Sequence, residues 1–460
     1  DFNNDLAQEM GLDFNVGEYT AYFSGNRTLK GASVISAVYA GHQFGTYVPQ
    51  LGDGRAHLLG EIESKKNGNS YEIQLKGSGK TPYSRFGDGK AVLRSSIREY
   101  LVAEAMHYLG VPTTRSLCII GSDENVMREG IEKGAMVTRV APSFLRFGNF
   151  QFFSHTKKDE AATKILLDYV IAKFYPRLLN SENTYQKFFY EVVSSTAKLM
   201  AKWQAFGFTH GVMNTDNMSI LSLTIDYGPY GFMDGFNPNF IPNCSDHSGR
   251  YSYVNQPQIG LWNLHALAYA LHPILNHDQA QEILQLYKNI LVREYTNIMR
   301  LKLGFQKERG KDKQTIENLV RIMSGFEADY TLFFRYLSNY DLGGDRGQIY
   351  SLFKKTSEIE EWLNDYEIRV KQEGWPEMNR DEEKLNIRRK YKMKLANPKY
   401  ILRNYMAETA IRMLNYSGDI SEVKRLREIL KYPFDEQPEN DAYAQLPPEW
   451  ANEISISCSS

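Results

Sequence analysis

The chain is expected to fold as an α+β protein: a small antiparallel β-rich part carrying one helix, a larger helical part, and a helical extension. Three observations lead there. Short alternating segments separated by Gly and Asn turns fill residues 33–76, an amphipathic stretch runs over 91–109, and helical spacing dominates beyond about Asp159. The boundaries read as 1–145, 146–300 and 301–460.

In order along the chain, a short helical pattern ends near Gly11 and gives way to a loop. From about Ser33 the pattern becomes β. Ala56–Ile62 follows the Asp53-Gly54 turn, read as a hairpin, and Asn67-Gly68 closes a second one. In 71–76, Tyr71, Ile73 and Leu75 point one way, and Glu72, Gln74 and Lys76 the other. In the 91–109 helix, Val92, Leu93, Ile97, Leu101, Ala105 and Leu109 share a face, and Gly110 with Pro112 stops it. More strand is expected at 116–120 and 134–140. The helical run after Asp159 breaks at 207–234, and 278–435 reads as helix after helix, expected to pack behind the larger part. No internal repeat stands out.

Composition excludes several classes. With 460 residues there is ample core to bury, and a net charge of -1 gives no pull toward nucleic acid or anionic membranes. No run of eighteen apolar residues suggests a membrane span. Asp1, not Met, stands first, so a targeting segment ahead of it stays open. Three cysteines, Cys118, Cys244 and Cys458, are too few for a disulfide framework or a zinc site. A reducing, cytoplasmic setting is the default. Cys458 sits in a tail, where a thiol is free to react or is merely incidental; Cys118, in an apolar strand, reads as core.

The chemistry concentrates in His210-Gly-Val-Met-Asn214-Thr-Asp216-Asn217, followed nine residues later by Asp226. Two carboxylates and an amide can hold Mg²⁺ or Mn²⁺ with oxygen ligands and leave one Asp free to act as base. The linker 218–226 reads as a short strand pair that fixes both ends. Loop Asn and Asp residues are also ordinary turn chemistry, but phosphoryl chemistry needs this fixed geometry. His210 reads as an orienting residue.

Upstream, Gly52 and Gly54 allow close backbone approach to phosphates, although a hairpin explains them equally well. Lys76, with Glu99 on the following helix, suits a phosphate contact or, more plainly, an edge strand beside a solvated helix face. Arg139 and Arg146 flank Val-Ala-Pro-Ser-Phe-Leu, where two guanidinium groups grip a phosphate chain if they meet in space. Phe144, Phe147, Phe150, Phe152 and Phe153 invite a single-strand RNA reading, but without a basic stretch they read mostly as core. The run 388–394, after Asp381, Glu382 and Glu383, reads as a solvated helix face. The histidines show no ligand spacing.

These residues resemble the selenoprotein O family of protein-kinase-like enzymes. The match rests on Gly41-His-Gln-Phe-Gly45, Leu51-Gly-Asp-Gly-Arg55, the run Gln74–Gly89, His210–Asn217, Asn397–Asn404 and the terminal Ser457-Cys458-Ser459-Ser460. The serine-flanked cysteine is similar to the bacterial form, with Cys where relatives carry selenocysteine. The resemblance implies a two-lobed kinase-like fold that binds ATP reversed. AMP would then pass to Ser, Thr or Tyr hydroxyls of proteins, with UMP transfer in some members when Mn²⁺ is present. It implies nucleotide contacts at Gly52, Gly54, Arg55, Lys76, Asp88, Gly89, Arg139, Arg146 and Asp226. It further implies Glu99 as the partner of Lys76, Asp216 as proton acceptor, and Asn217 and Asp226 as metal ligands. Relatives also imply a redox link between the tail and the loop after Asp226, which here means Cys244 with Cys458.

Expulsion of pyrophosphate fits that assignment, because Arg55, Lys76, Arg139 and Arg146 would neutralise the leaving group. The alternatives are a γ-phosphate kinase and a nucleotide-binding pseudokinase scaffold. A nucleic-acid binder fits least. Protein substrates and oligomeric state stay open.

Overall fold

The computed structural model describes residues 1–373 and 382–457; Asp381 and Cys458 lie outside the described residues. The fold is mixed α and β, with antiparallel sheets first and helices after.

Helix α1 (Asn4–Met10) ends on Gly11 in the left-handed conformation, as its pattern predicts. The stretch read as loop after it holds a second helix, α2 (Val16–Phe23). A reciprocal Asn15–Glu18 capping box starts α2. Strands β1 (Val38–Gln43) and β2 (Thr46–Gly52) pair with each other as a separate hairpin. The Asp53-Gly54 turn therefore does not close a β2–β3 hairpin. A Cβ on Gly52 would lie 2.5 Å from the Tyr83 ring, so the 81–84 loop packs over the turn instead.

Strands β3 (Ala56–Glu63) and β4 (Ser70–Lys76) pair as expected. With β5 (Ala91–Val92), β6 (Arg115–Met127) and β7 (Ile131–Ala141) they form one five-stranded antiparallel sheet. Tyr71, Ile73 and Leu75 pack beneath α1 and α2, together with the buried Cys118, whose thiol burial pushes up to about 12. The opposite face carries Gln74 and Lys76, also buried. Helix α3 (Leu93–Tyr108) crosses the sheet and brings Glu99 to that face.

Beyond the sheet come α4 (Phe147–Gln151), α5 (Glu160–Phe174) and α6 (Thr184–Phe206). Asp159 caps α5. The short pair β8 (Phe208–Thr209) and β9 (Gly231–Phe232) brackets the loop that carries Asp216 and Asp226. Phe144, Phe147, Phe150 and Phe152 are buried, consistent with their core reading.

Helices α7 (Gln256–Ala270) and α8 (His277–Lys302) pack on α6. The extension comprises α9 (Asp312–Phe326), α10 (Tyr330–Asn339), α11 (Gly347–Tyr350), α12 (Ser357–Lys371), α13 (Glu382–Ala396), α14 (Asn404–Ser417) and α15 (Ser421–Lys431). α9 and α13 pack on α8, but α14 and α15 turn back onto α3. Not all of the extension therefore lies behind the larger part.

Helix α13 is more than a solvated face. Arg389 and Met393, one turn apart, point inward, and Arg389 donates to the Leu337 and Tyr340 carbonyls. Backbone carbonyls left open at the end of α10 need a donor, and the guanidinium supplies it. At the end of α8, Lys302 is buried among Phe206, Tyr330 and Phe334, with Nζ 4.2 Å from the Phe334 centroid.

Candidate active site

A cleft of about 810 Å³ opens between the inner sheet face and the 210–229 loop. It is lined by every nucleotide and metal candidate named from the sequence except Glu99, which stands behind the wall.

On that wall Lys76 ends β4, and its Nζ meets Glu99 Oε2 at 2.5 Å. The antiparallel register sets Gln74 opposite Arg139. Arg139 pairs with the other oxygen of Glu99, donates to Gln74 Oε1 at 3.2 Å and meets Asp226 Oδ1 at 2.7 Å. The edge-strand reading of Lys76 and Glu99 therefore fails: both are buried, and one carboxylate holds two cations. Burial, then the neighbouring Arg139, lowers the Lys76 amine to about 8, while Glu99 pulls the other way.

Arg146, at the start of α4, reaches the same carboxylate from the other side. Its Nη1 pairs with Asp226 Oδ2 and donates to the Asp216 carbonyl at 2.9 Å, while its guanidinium lies 4.7 Å over the Tyr39 ring. The two arginines do meet in space, through Asp226. Burial alone would raise the Asp226 carboxyl, but Arg146, Arg139 and Lys76 together hold it well below the usual range. Asp226 also has φ 55, a left-handed conformation uncommon for a non-glycine residue and frequent at functional sites.

Linker 218–226 is not a strand pair. Ser219 bridges to Arg146 and Thr224 to Thr113, so each end is anchored to a different element. Ile220 and Ile225 are buried, and residues 145–147 and 112–114 satisfy the linker backbone. The fixed spacing of Asp216 and Asp226 survives by this other route. His210 adds to it, since Nε2 meets the Ile225 carbonyl at 2.8 Å and the buried ring stacks on Trp203.

Asp216 is buried, and Oδ1 has no hydrogen-bond partner among the described residues. Burial pushes its carboxyl up to about 6, against the nearby Arg146 and a hydrogen bond from Gln43. Asn217 donates Nδ2 to the Val212 carbonyl at 3.0 Å, which leaves its amide oxygen as the atom available to a cation. The Asn217 amide oxygen and the Asp226 carboxylate, beside Asp216, suit a hard cation that keeps water and phosphate ligands. Asp226 already serves two arginines, so such a cation would share it with them.

Toward the rim, Arg55 follows the Gly52–Gly54 turn, and its guanidinium makes no hydrogen bond or ion pair with the described residues. Asp88 and Gly89 close the loop over that turn. Asp88 pairs with Arg128 at 2.8 Å, which holds its carboxyl down to about 2. Cys244 is exposed in the loop beyond Asp226.

Sequence reasoning passed over Asp53, Tyr39, Gln43, Asn214 and Arg128. Asp53 accepts from Gln74 and Tyr39 and lies 3.7 Å from Arg146. A signal was present, since Asp53 and Gln43 sit inside the motif runs, but nothing local marks which atoms they meet.

Residues 2–431 match the family model described as protein adenylyltransferase SelO. The protein nucleotidyltransferase YdiU of Herminiimonas arsenicoxydans is 48% identical over 460 residues, covering 98% of this chain and 90% of that protein. The proteins of that name from Paraburkholderia xenovorans and Thiobacillus denitrificans are 48% and 49% identical, over 100% and 95% of this chain and 90% and 88% of theirs. With a lysine–glutamate pair, clustered arginines and an unpartnered carboxylate in one cleft, and likeness at this level along nearly the whole length, the chain belongs to the SelO family of protein adenylyltransferases.

Proposed function

We propose that this enzyme transfers AMP from ATP to Ser, Thr or Tyr hydroxyls of proteins and releases pyrophosphate. One observation carries the reading. Arg55, Lys76, Arg139 and Arg146 converge on the cleft that also holds a buried carboxylate oxygen, Asp216 Oδ1, without a partner among the described residues.

In this reading the triphosphate enters with its β and γ groups toward the basic wall. The phosphates compete with Asp226 for Arg139 and Arg146, and Arg55 adds a guanidinium not committed elsewhere. Forked donors fixed before the reaction stabilise charge as it develops on pyrophosphate. The substrate hydroxyl oxygen bonds to the α-phosphorus, the bond from that phosphorus to the bridging oxygen breaks, and the electron pair leaves with pyrophosphate. The hydroxyl proton passes to the Asp216 carboxylate. Asn217 and Asp226 would hold Mg²⁺ or Mn²⁺, which when bound neutralises phosphate charge. UTP would serve as an alternative donor with Mn²⁺.

The same reading takes the fold as kinase-like and two-lobed, with a nucleotide-binding part at 1–145, a catalytic part at 146–300 and an extension at 301–460. The lysine–glutamate pair on β4 and α3 supports it, as does the position of Arg146 between β7 and α4. Among the described residues no helix is long and apolar enough to cross a membrane. A cytoplasmic location and the absence of a nucleic-acid partner belong to the reading on composition alone.

The test uses ATP labelled at the α or the γ phosphorus, with Mg²⁺ or Mn²⁺ and lysate proteins. Covalent label from the α position only is expected. Label from the γ position only would make this a conventional kinase, and none from either would make it a scaffold.

A reversible Cys244–Cys458 disulfide is proposed alongside. Cys458 lies outside the described residues, but the Cys244 backbone N–H donates to the Ile456 carbonyl at 2.9 Å, which brings the tail beside the loop. Oxidant is expected to shift gel mobility and activity in the parent but not in Cys458→Ser. Identical behaviour of the two would sink the pairing.

A further inference from the structure

The carboxylate of Asp216 is held from outside its own loop. Gln43, at the end of β1, donates Nε2 to Asp216 Oδ2 at 3.3 Å. On the other flank, a Cβ on Gly41 would come within 2.3 Å of Oδ1, so only bare backbone fits there. The neighbouring residues repeat the arrangement. The His42 N–H donates to Thr215 Oγ1 at 2.7 Å, and the Phe44 N–H donates to Asn214 Oδ1 at 3.2 Å.

Those acceptors are themselves fixed. Thr215 Oγ1 donates to Gln151 Oε1 at 2.6 Å, and Asn214 Oδ1 also accepts from Tyr251 Oη at 2.6 Å. Three successive residues of the hairpin tip thus grip three successive residues of the loop, roughly 170 positions away in sequence. Phe44 takes φ 50 to make the contact, a conformation that surrounding structure must sustain.

We propose that Gln43, with the bare backbone of Gly41, is the positioning residue of Asp216. It holds Oδ2 while the Gly41 backbone packs against Oδ1, so the carboxylate beside the cleft is fixed in one orientation. The inference rests on Asp216 being the proton acceptor. The torsion that turns a carboxylate has broad wells, so nothing in the aspartate itself selects one oxygen. A donor on one oxygen does select, and misplacement of a reacting group by about 1 Å costs on the order of 100-fold in rate.

The test is a cycle of Gln43→Met, Asp216→Asn and the double variant in the full chain, read as labelled AMP incorporated into protein. Methionine keeps the length of glutamine and lacks the donor. Gln43→Met is expected to lower kcat by about 10- to 100-fold while KM for ATP stays within about twofold, since only the acceptor is disturbed. In the Asp216→Asn background it is expected to lower the residual rate no further.

Three results would overturn the inference while the proposed function stands. They are Gln43→Met with the parent's kcat beside an inactive Asp216→Asn, losses that multiply in the double variant, and a raised KM with kcat unchanged. Asp216→Asn turning over like the parent would overturn the proton-acceptor reading and this inference with it.

Discussion

Asp226→Ala is expected to lower protein labelling from ATP by about a thousandfold, the scale seen when a pre-set charge is removed from a transition-state site. The same change should destabilise the fold. Asp226 is the one carboxylate that engages both Arg139 and Arg146 among the described residues, and those side chains are 5% and 3% exposed. Breaking a buried pair by removing one partner costs about 3–5 kcal/mol. Glu99 still holds Arg139, and Asp53 stands near Arg146, so a loss of about 2–3 kcal/mol is expected here.

The Asp226 carboxyl is held below its unfolded value of about 3.9. Its contribution is therefore complete at neutral pH and is lost as the pH falls through that range toward the folded value. A triphosphate can supply the missing negative charge. ATP without a divalent cation should thus raise the Tm of Asp226→Ala by more than that of the parent, where the carboxylate competes for the same arginines. Labelling within tenfold of the parent would remove Asp226 from the chemistry; equal ATP-induced shifts would remove the arginines from the triphosphate site.

Lys302→Met should stabilise the protein, by about 2–3 kcal/mol at pH 7. Lys302 is 2% exposed, its Nζ makes no hydrogen bond or ion pair with a described residue, and burial pushes the amine down to about 7. Each tenfold change in the protonation equilibrium corresponds to about 1.4 kcal/mol, and the ring faces of Phe206, Tyr330 and Phe334 return part of that to the ammonium. Methionine fills a similar volume without the charge.

The sign also fixes a pH dependence. Between about 7 and the unfolded value of about 10.4, the unfolded chain binds more protons at this position, so the parent gains stability as pH rises. Lys302→Met lacks that slope. Urea unfolding at pH 7 and pH 9 should show the gap between the two proteins narrowing by about 2 kcal/mol. A variant less stable than the parent at both pH values would mean that the cation–ring contacts outweigh burial.

Much of the fold was legible locally. The alternation of 71–76 and the helical spacing of 91–109 each declare their element, because strand and helix periods are properties of the chain itself. Helix α2 was missed because it is short and largely exposed, so its capping box was the only cue. The Asp53-Gly54 turn misled because glycine serves a hairpin and a close ring contact equally well. Arg389 misled because a charge run shows no face, and its inward turn depends on carbonyls contributed by another helix.

The sequence by itself determined the chemical inventory: the Asp216-Asn217…Asp226 set, the strand lysine, the arginines and the family they resemble. Only the tertiary structure decided how those groups are arranged. Nothing in the spacing says that Asp226 joins Arg139 to Arg146, that Glu99 holds two cations, or that the β1–β2 tip grips Asp216. Residue types and periods are set by neighbours a few positions apart. Ion pairs and orienting hydrogen bonds join atoms from distant parts of the chain, and in a low-dielectric cleft such contacts set both charge state and orientation.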